Sequence, residues 1–92
     1  MNAVEINLEQ TFAKKLGMRT TAIKLFQDLE DETEAILNFK DIEFMSRSFA
    51  QEYVYQKHHS SVHIIESNMS DFVKGLLEVV EEDYKETCLD NN

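Results

Sequence analysis

The stretch LNFKDIEFMSRSFA, residues 37–50, decides the fold of this chain. The apolar run at 35–39 has the length of a strand, and its continuous character is typical of a strand covered on both faces. A short loop follows, and the hydroxyls of Ser46 and Ser48 then mark the start of a helix. Ser48 and Gln51 have the spacing of a capping box. The stretch therefore predicts a strand, a loop and a helix whose free N–H groups and positive dipole end face the loop.

On both sides of this stretch, segments whose apolar residues recur at every second position alternate with segments whose apolar residues recur every 3.6 positions. Residues 4–8 alternate apolar and polar, and residues 61–65 have the pattern of a third strand. Apolar residues at helical spacing mark a helix over 18–30 and a last helix that begins after Asn68, its expected cap. The resulting order, β-α-β-α-β-α, predicts a single α/β domain over residues 1–92 with its core from about 4 to 86. We expect a mostly parallel sheet covered by helices.

Periodicity also predicts which side chains form the core. The predicted core includes Phe39 of the central strand and Phe72 and Leu76 of the last helix, while Tyr55 is expected to be exposed. The second helix is expected to bury four residues at helical spacing, Phe49, Ala50, Tyr53 and Val54.

Composition and charge exclude several classes of function. The chain has 92 residues, of which 42% are hydrophobic and 29% charged, as in an ordinary globular domain. Its net charge of −9 would repel nucleic acids and anionic membranes, so we expect neither partner. No apolar run approaches the length of a membrane span. The lone cysteine, Cys88, cannot form an internal disulfide, and a cytoplasmic location is expected.

The residues offer no distinctive catalytic or metal-binding pattern. His58, His59 and His63 are close in sequence, but their spacing fits no established zinc motif. The acidic residues of the last helix are expected to form a solvated face. With no Ser-His-Asp order and no distinctive pair of carboxylates, we predict no catalytic residue, no metal and no cofactor, and therefore not an enzyme.

The region after the central strand resembles the signature segment of STAS domains, the class that includes anti-sigma factor antagonists. That segment reads Phe-Met-(Asp)-Ser-Ser-Gly-Leu, and Phe44 and Met45 match its first two residues. Ser46 stands for its aspartate, Arg47 for its phosphorylatable first serine, and Ser48 matches its second serine. The substitution by Arg47 argues against regulation by phosphorylation at that position.

The chain is more similar to the STAS-like domain of unknown function family, a divergent relative of the STAS domains. The resemblance covers about residues 4–84. Three short elements carry it in the family's order: GMRTTA at 17–22, SFA at 48–50 and HIIESN at 63–68.

The resemblance implies a regulatory protein-interaction module whose partner is a histidine-kinase-like ATPase or another signalling protein. The implied surface for a partner or an anion consists of six residues: Arg19, Phe44, Met45, Ser46, Arg47 and Ser48. Ser46 and Ser48 are the candidate phosphoacceptors.

Two alternatives remain open at this point. The same helix start is also suited to a small anion- or nucleotide-binding accessory domain. A homodimer is a further expectation, through the strand edges or the second helix.

Overall fold

The computed structural model describes residues 3–89, with side chains through Thr87, so Cys88 lies outside the described side chains. The secondary-structure elements follow one another in the order β1 (Ala3–Asn7), α1 (Leu8–Thr11), β2 (Lys15–Leu16), α2 (Arg19–Asp28), β3 (Glu34–Asn38), β4 (Phe44–Met45), α3 (Arg47–His59), β5 (His63–Ser67), α4 (Asp71–Tyr84) and a π-helical turn (Lys85–Leu89). The predicted α/β domain is thereby confirmed, with three of the helices and three of the strands in the expected order.

The main sheet has three parallel strands with β3 in the centre, between β1 and β5. In register, Val4 lies beside Ala35, which lies beside Ile64. A second, two-stranded sheet pairs β2 with β4, also in parallel, and places Lys15 beside Phe44. Helices α2, α3 and α4 pack side by side, α2 on α3 and α3 on α4.

The core is centred on Tyr53 of α3, a fully buried aromatic residue. The centre of its ring lies 5.7 Å from that of Phe26, 6.1 Å from that of Phe39 and 6.2 Å from that of Phe49. Phe39, Phe49, Ala50 and Val54 are buried as predicted. Clustered aromatic rings add favourable edge and stacking contacts to the area that they bury.

Only one face of the main sheet belongs to this core, so the prediction that the central strand is covered on both faces is wrong. Burial along β3 alternates: Ala35 and Leu37 are buried, whereas Ile36 is partly exposed. On the same side as Ile36, Ile65 is 38% exposed. The apolar run at 35–39 concealed this alternation because isoleucine occupies the outer face as well.

The structure also corrects both predicted helix caps. Helix α3 is capped by Ser46, because β4 ends at Met45 and the helix begins directly after it. Helix α4 is capped by Ser70, whereas Asn68 has a φ of 57° and belongs to the preceding turn. Asparagine tolerates that left-handed conformation better than most residues.

The prediction that Phe72 belongs to the core is wrong, since its side chain is 53% exposed. The inner face of α4 consists of Val73, Leu77 and Val80, which are buried at spacings of four and three residues. Leu76 is partly buried and packs against the core. None of the helices in the described part of the chain is both long and apolar enough to cross a membrane.

Candidate functional site

Ser46 joins the start of α3 to the small β2–β4 sheet. Its hydroxyl accepts a hydrogen bond from the N–H of Phe49 (3.0 Å) and donates one to the carbonyl of Gly17 (2.9 Å). Its backbone N–H donates to the carbonyl of Leu16 (2.9 Å). The hydroxyl therefore has a structural role in which both its donor and an acceptor site are engaged.

Ser48 differs from Ser46 in that its side chain is exposed in the first turn of α3. The first turn of a helix carries backbone N–H groups without intrahelical partners and a partial positive charge. A phosphate on Ser48 would gain from both. Of the two candidate phosphoacceptors, Ser48 is therefore the one whose modification leaves the helix cap intact.

Arg47 forms an ion pair with Asp83 near the end of α4. The guanidinium Nη2 lies 2.6 Å from Asp83 Oδ2, and both side chains are about half exposed. Salt bridges this exposed contribute about 0.2–1 kcal/mol to stability. The positive charge of Arg47 already has a carboxylate partner within the chain, although it remains accessible to solvent.

Arg19, in the first turn of α2, pairs with a different carboxylate. Its Nε lies 3.3 Å from Oε1 of Glu52 in α3, and the arginine side chain is largely exposed. Arg19 thus links the start of α2 to the second turn of α3. Arg19 and Arg47 engage separate acidic residues, so each is a surface ion pair.

The two apolar residues of the predicted site differ in accessibility. Met45 is buried, so its side chain is unavailable to a partner. Phe44 is 44% exposed and its ring stacks on Phe72, with ring centres 6.4 Å apart. The exposed pair Phe44–Phe72 lies just before α3 and in the first turn of α4.

Sequence reasoning did not place α4 at this site, yet the pair continues along that helix. Leu76 follows Phe72 by four residues and Val79 follows it by seven, so the three lie on one side of the helix. Val79 is 51% exposed. We call Phe44, Phe72, Leu76 and Val79 the apolar stripe. The sequence signal that indicates this stripe is the repeated pairs of adjacent apolar residues in α4, because they give the helix a second apolar face.

A groove between α3 and α4 adjoins the stripe. It encloses about 250 Å³ and is lined by six residues: Gln51, Tyr55, Val80, Asp83, Tyr84 and Thr87. Val80 follows Leu76 by one turn, so stripe and groove are continuous along α4. Tyr55 is exposed, as predicted.

A second group missed by sequence reasoning joins α3 to β5. The Tyr53 hydroxyl donates a hydrogen bond to Glu66 Oε2, and Lys57 Nζ donates to the same oxygen at 3.2 Å. Burial raises the pKa of Tyr53 well above its ordinary value, and the adjacent Glu66 carboxylate raises that pKa further. Tyr53 therefore keeps its proton at neutral pH and acts as a hydrogen-bond donor within the fold.

The three histidines have separate surroundings. His58 stacks on Tyr84 and its ring nitrogen contacts a carboxylate oxygen of Glu81, whereas His59 stacks on Tyr55. His63 lies in β5. Among the residues that the structure describes, no group of three or more His, Cys, Asp or Glu side chains is placed to hold a metal ion.

Comparisons of this chain with protein-family models, with curated proteins and with solved structures found no significant match.

Proposed function

We propose that this chain is a non-enzymatic regulatory module that binds a protein partner in the cytoplasm. The observation that carries the proposal is the exposed stacked pair Phe44–Phe72, with the half-exposed Arg47 three residues after Phe44. Aromatic side chains, phenylalanine included, and arginine are enriched at protein interfaces relative to the rest of the surface. A small domain gains nothing in solubility from such a pair.

The resemblance to STAS-like domains supports a signalling partner, with a histidine-kinase-like ATPase as the first candidate. Fold-level similarity alone does not assign a function, so the partner is a proposal of its own. The surface chemistry fits such a complex, because a chain of net charge −9 favours a partner with a basic face.

The geometry favours this module over the anion- or nucleotide-binding alternative. An anion at the start of α3 would gain most from a positive side chain as well as from the backbone N–H groups. The Ser46 hydroxyl donates to Gly17, and Arg47 is paired with Asp83. An anion would have to displace Asp83 from the arginine before it gained that charge.

Affinity capture from a native lysate tests the proposal. Immobilised wild-type protein is compared with Phe44→Ser and Phe72→Ser, and Ile65→Ser serves as the matched control because it removes an exposed apolar side chain from the open sheet face. We expect one protein to be retained by the wild type and by Ile65→Ser but lost with both site variants. A partner that both site variants retain would place the interface elsewhere.

The alternative has its own readout, in the wild type and in Arg47→Glu. A ligand that binds only the folded state raises the melting temperature with concentration. We expect no shift with a nucleoside triphosphate or inorganic phosphate at concentrations up to about 1 mM. A shift that Arg47→Glu abolishes, with no captured partner, would establish the anion-binding function instead.

A further inference from the structure

We propose that the apolar stripe and the adjoining α3–α4 groove bind one amphipathic helix of the partner, whose apolar face is flanked by lysine or arginine. This inference rests on the proposed function and names the chemistry of the partner. It also moves the centre of the interface from the loop before α3 to helix α4.

The shape of the surface fits a helix. Helix α4 spans 14 residues, which is about 21 Å at 1.5 Å per residue. The stripe and the groove follow that length from Phe72 in the first turn to Tyr84 at the last residue. An apolar channel of this length takes an amphipathic helix of about four turns, with anchors at spacings of three and four residues.

Gly75 supports a close approach by the partner. It lies in the middle of α4, between Phe72 and Val79 on the helix surface, and glycine weakens a helix relative to alanine. A Cβ at this position would meet no atom within 4 Å, so packing within the described chain does not require a glycine here. A partner backbone crossing the helix at Gly75 supplies the missing reason.

Charge selects the sequence of the partner. One row on the surface of α4 holds Asp71, Gly75, Glu78 and Glu82, at positions i, i+4, i+7 and i+11. This row runs beside the apolar stripe. All three acidic side chains are exposed. Helix α4 carries five acidic residues and a single lysine, Lys74. A helix lying on the stripe therefore meets a negative border, which lysine or arginine on its flank complements.

Other occupants fit this surface less well. A second copy of the chain carries the same charge of −9 and would bring its own acidic row to the interface. Nucleic acids and anionic membranes would meet the same negative border.

Two synthetic helices test the inference. One is an 18-residue peptide with leucine on one face and lysine on its flanks, and the other carries glutamate in place of each lysine. Calorimetry at 150 mM salt gives the affinities, and amide shift mapping locates the peptide. We expect the lysine peptide to bind at least tenfold more tightly than the glutamate peptide, with the largest shifts in α4 and at Phe44 and Tyr55.

Variants separate the effects of shape and charge. Gly75→Gln and Phe72→Ser should each weaken binding of the lysine peptide at least tenfold, and Gly75→Gln should melt no lower than the wild type. Ile65→Ser should change the affinity less than twofold.

The charge test uses a matched pair of double variants. Glu78→Lys/Glu82→Lys should weaken binding of the lysine peptide at least tenfold and strengthen that of the glutamate peptide. Glu30→Lys/Glu32→Lys makes the same change in net charge beyond the end of α2 and should alter either affinity less than threefold.

Three results would overturn the inference: no binding of the lysine peptide, shifts centred on the open sheet face, or equal affinity for both peptides. Its failure is distinguishable from failure of the proposed function. If the lysine peptide does not bind while capture of a partner still depends on Phe44 and Phe72, the interaction module stands and its helical occupant is wrong.

Discussion

Replacing Ser46 with alanine should destabilise the protein more than any other single serine change at the helix starts. The Ser46 hydroxyl makes two hydrogen bonds, one from the N–H of Phe49 and one to the carbonyl of Gly17. Loss of a helix N-cap costs about 1 kcal/mol, and loss of the exposed hydrogen bond to Gly17 costs about 0.5 kcal/mol more. We therefore expect the free energy of unfolding to fall by about 1.5 kcal/mol.

Urea denaturation at 25 °C measures this loss directly, and calorimetry gives the change in melting temperature. For a domain of this size, 1 kcal/mol corresponds to a shift of about 4–8 °C, so Ser46→Ala should melt roughly 6–12 °C below the wild type. The slope of the urea transition should stay unchanged, because the variant alters stability without altering the surface exposed on unfolding.

Two other serines provide matched controls. Ser70 caps α4 with one hydrogen bond from the N–H of Val73 (3.2 Å), so Ser70→Ala should cost about 1 kcal/mol. Ser48 is exposed, so Ser48→Ala should stay within about 0.5 kcal/mol of the wild type. A larger loss for Ser48→Ala than for Ser46→Ala would show that α3 begins at Ser48 and would refute the assignment of the cap.

Three further predictions concern the burial of Phe39 and Phe72, the dipole of α3 and the titration of Tyr53. Phe39→Ala should cost about 3–5 kcal/mol of unfolding free energy and Phe72→Ala less than about 1 kcal/mol; equal losses in urea would mean that the inner face of α4 is assigned wrongly. Ser48→Glu should raise stability by about 0.3–1 kcal/mol through the dipole of α3, and a lowered melting temperature would contradict this. Tyr53→Phe should cost about 1–2 kcal/mol at pH 7 through its lost bond to Glu66. Because the folded-state pKa of Tyr53 is raised, the stability advantage of the wild type over Tyr53→Phe is complete below about pH 10 and shrinks as the pH rises above it. If the unfolding free energies of the two proteins fall in parallel from pH 7 to 11, the effect is excluded.

The main sheet could be predicted from sequence because its strands are long enough to show periodicity. Residues 4–8, 35–39 and 61–65 were expected as strands, and the structure has Ala3–Asn7, Glu34–Asn38 and His63–Ser67. Each prediction was displaced by one or two residues. Helix α2, expected over 18–30, spans Arg19–Asp28.

The small sheet could not be predicted in this way. Strands β2 and β4 have two residues each, which is too short for any period to appear. Their pairing depends on contact between Lys15 and Phe44, which are far apart in the sequence. The same pairing moves the cap of α3 from Ser48 to Ser46, because β4 ends at Met45. The error at the candidate site thus followed from the missing long-range contact.

The orientation of α4 was ambiguous for a different reason. Its sequence contains three adjacent apolar pairs, Phe72–Val73, Leu76–Leu77 and Val79–Val80. Periodicity detects an apolar face in either member of each pair, but it cannot tell which member points inward. The structure buries Val73, Leu77 and Val80 and leaves Phe72 and Val79 about half exposed.

That ambiguity bears on the proposed binding of a helix. A helix that only covers its own core needs one apolar side, and the first member of each pair would then be polar. In α4 the second apolar side is kept, and the acidic row of Asp71, Glu78 and Glu82 lies beside it. Like charges oppose pairing of two copies across this side, whereas a basic amphipathic helix gains both apolar contact and charge pairing. The arrangement that made the sequence prediction ambiguous is therefore the one on which the proposed binding of a basic helix rests.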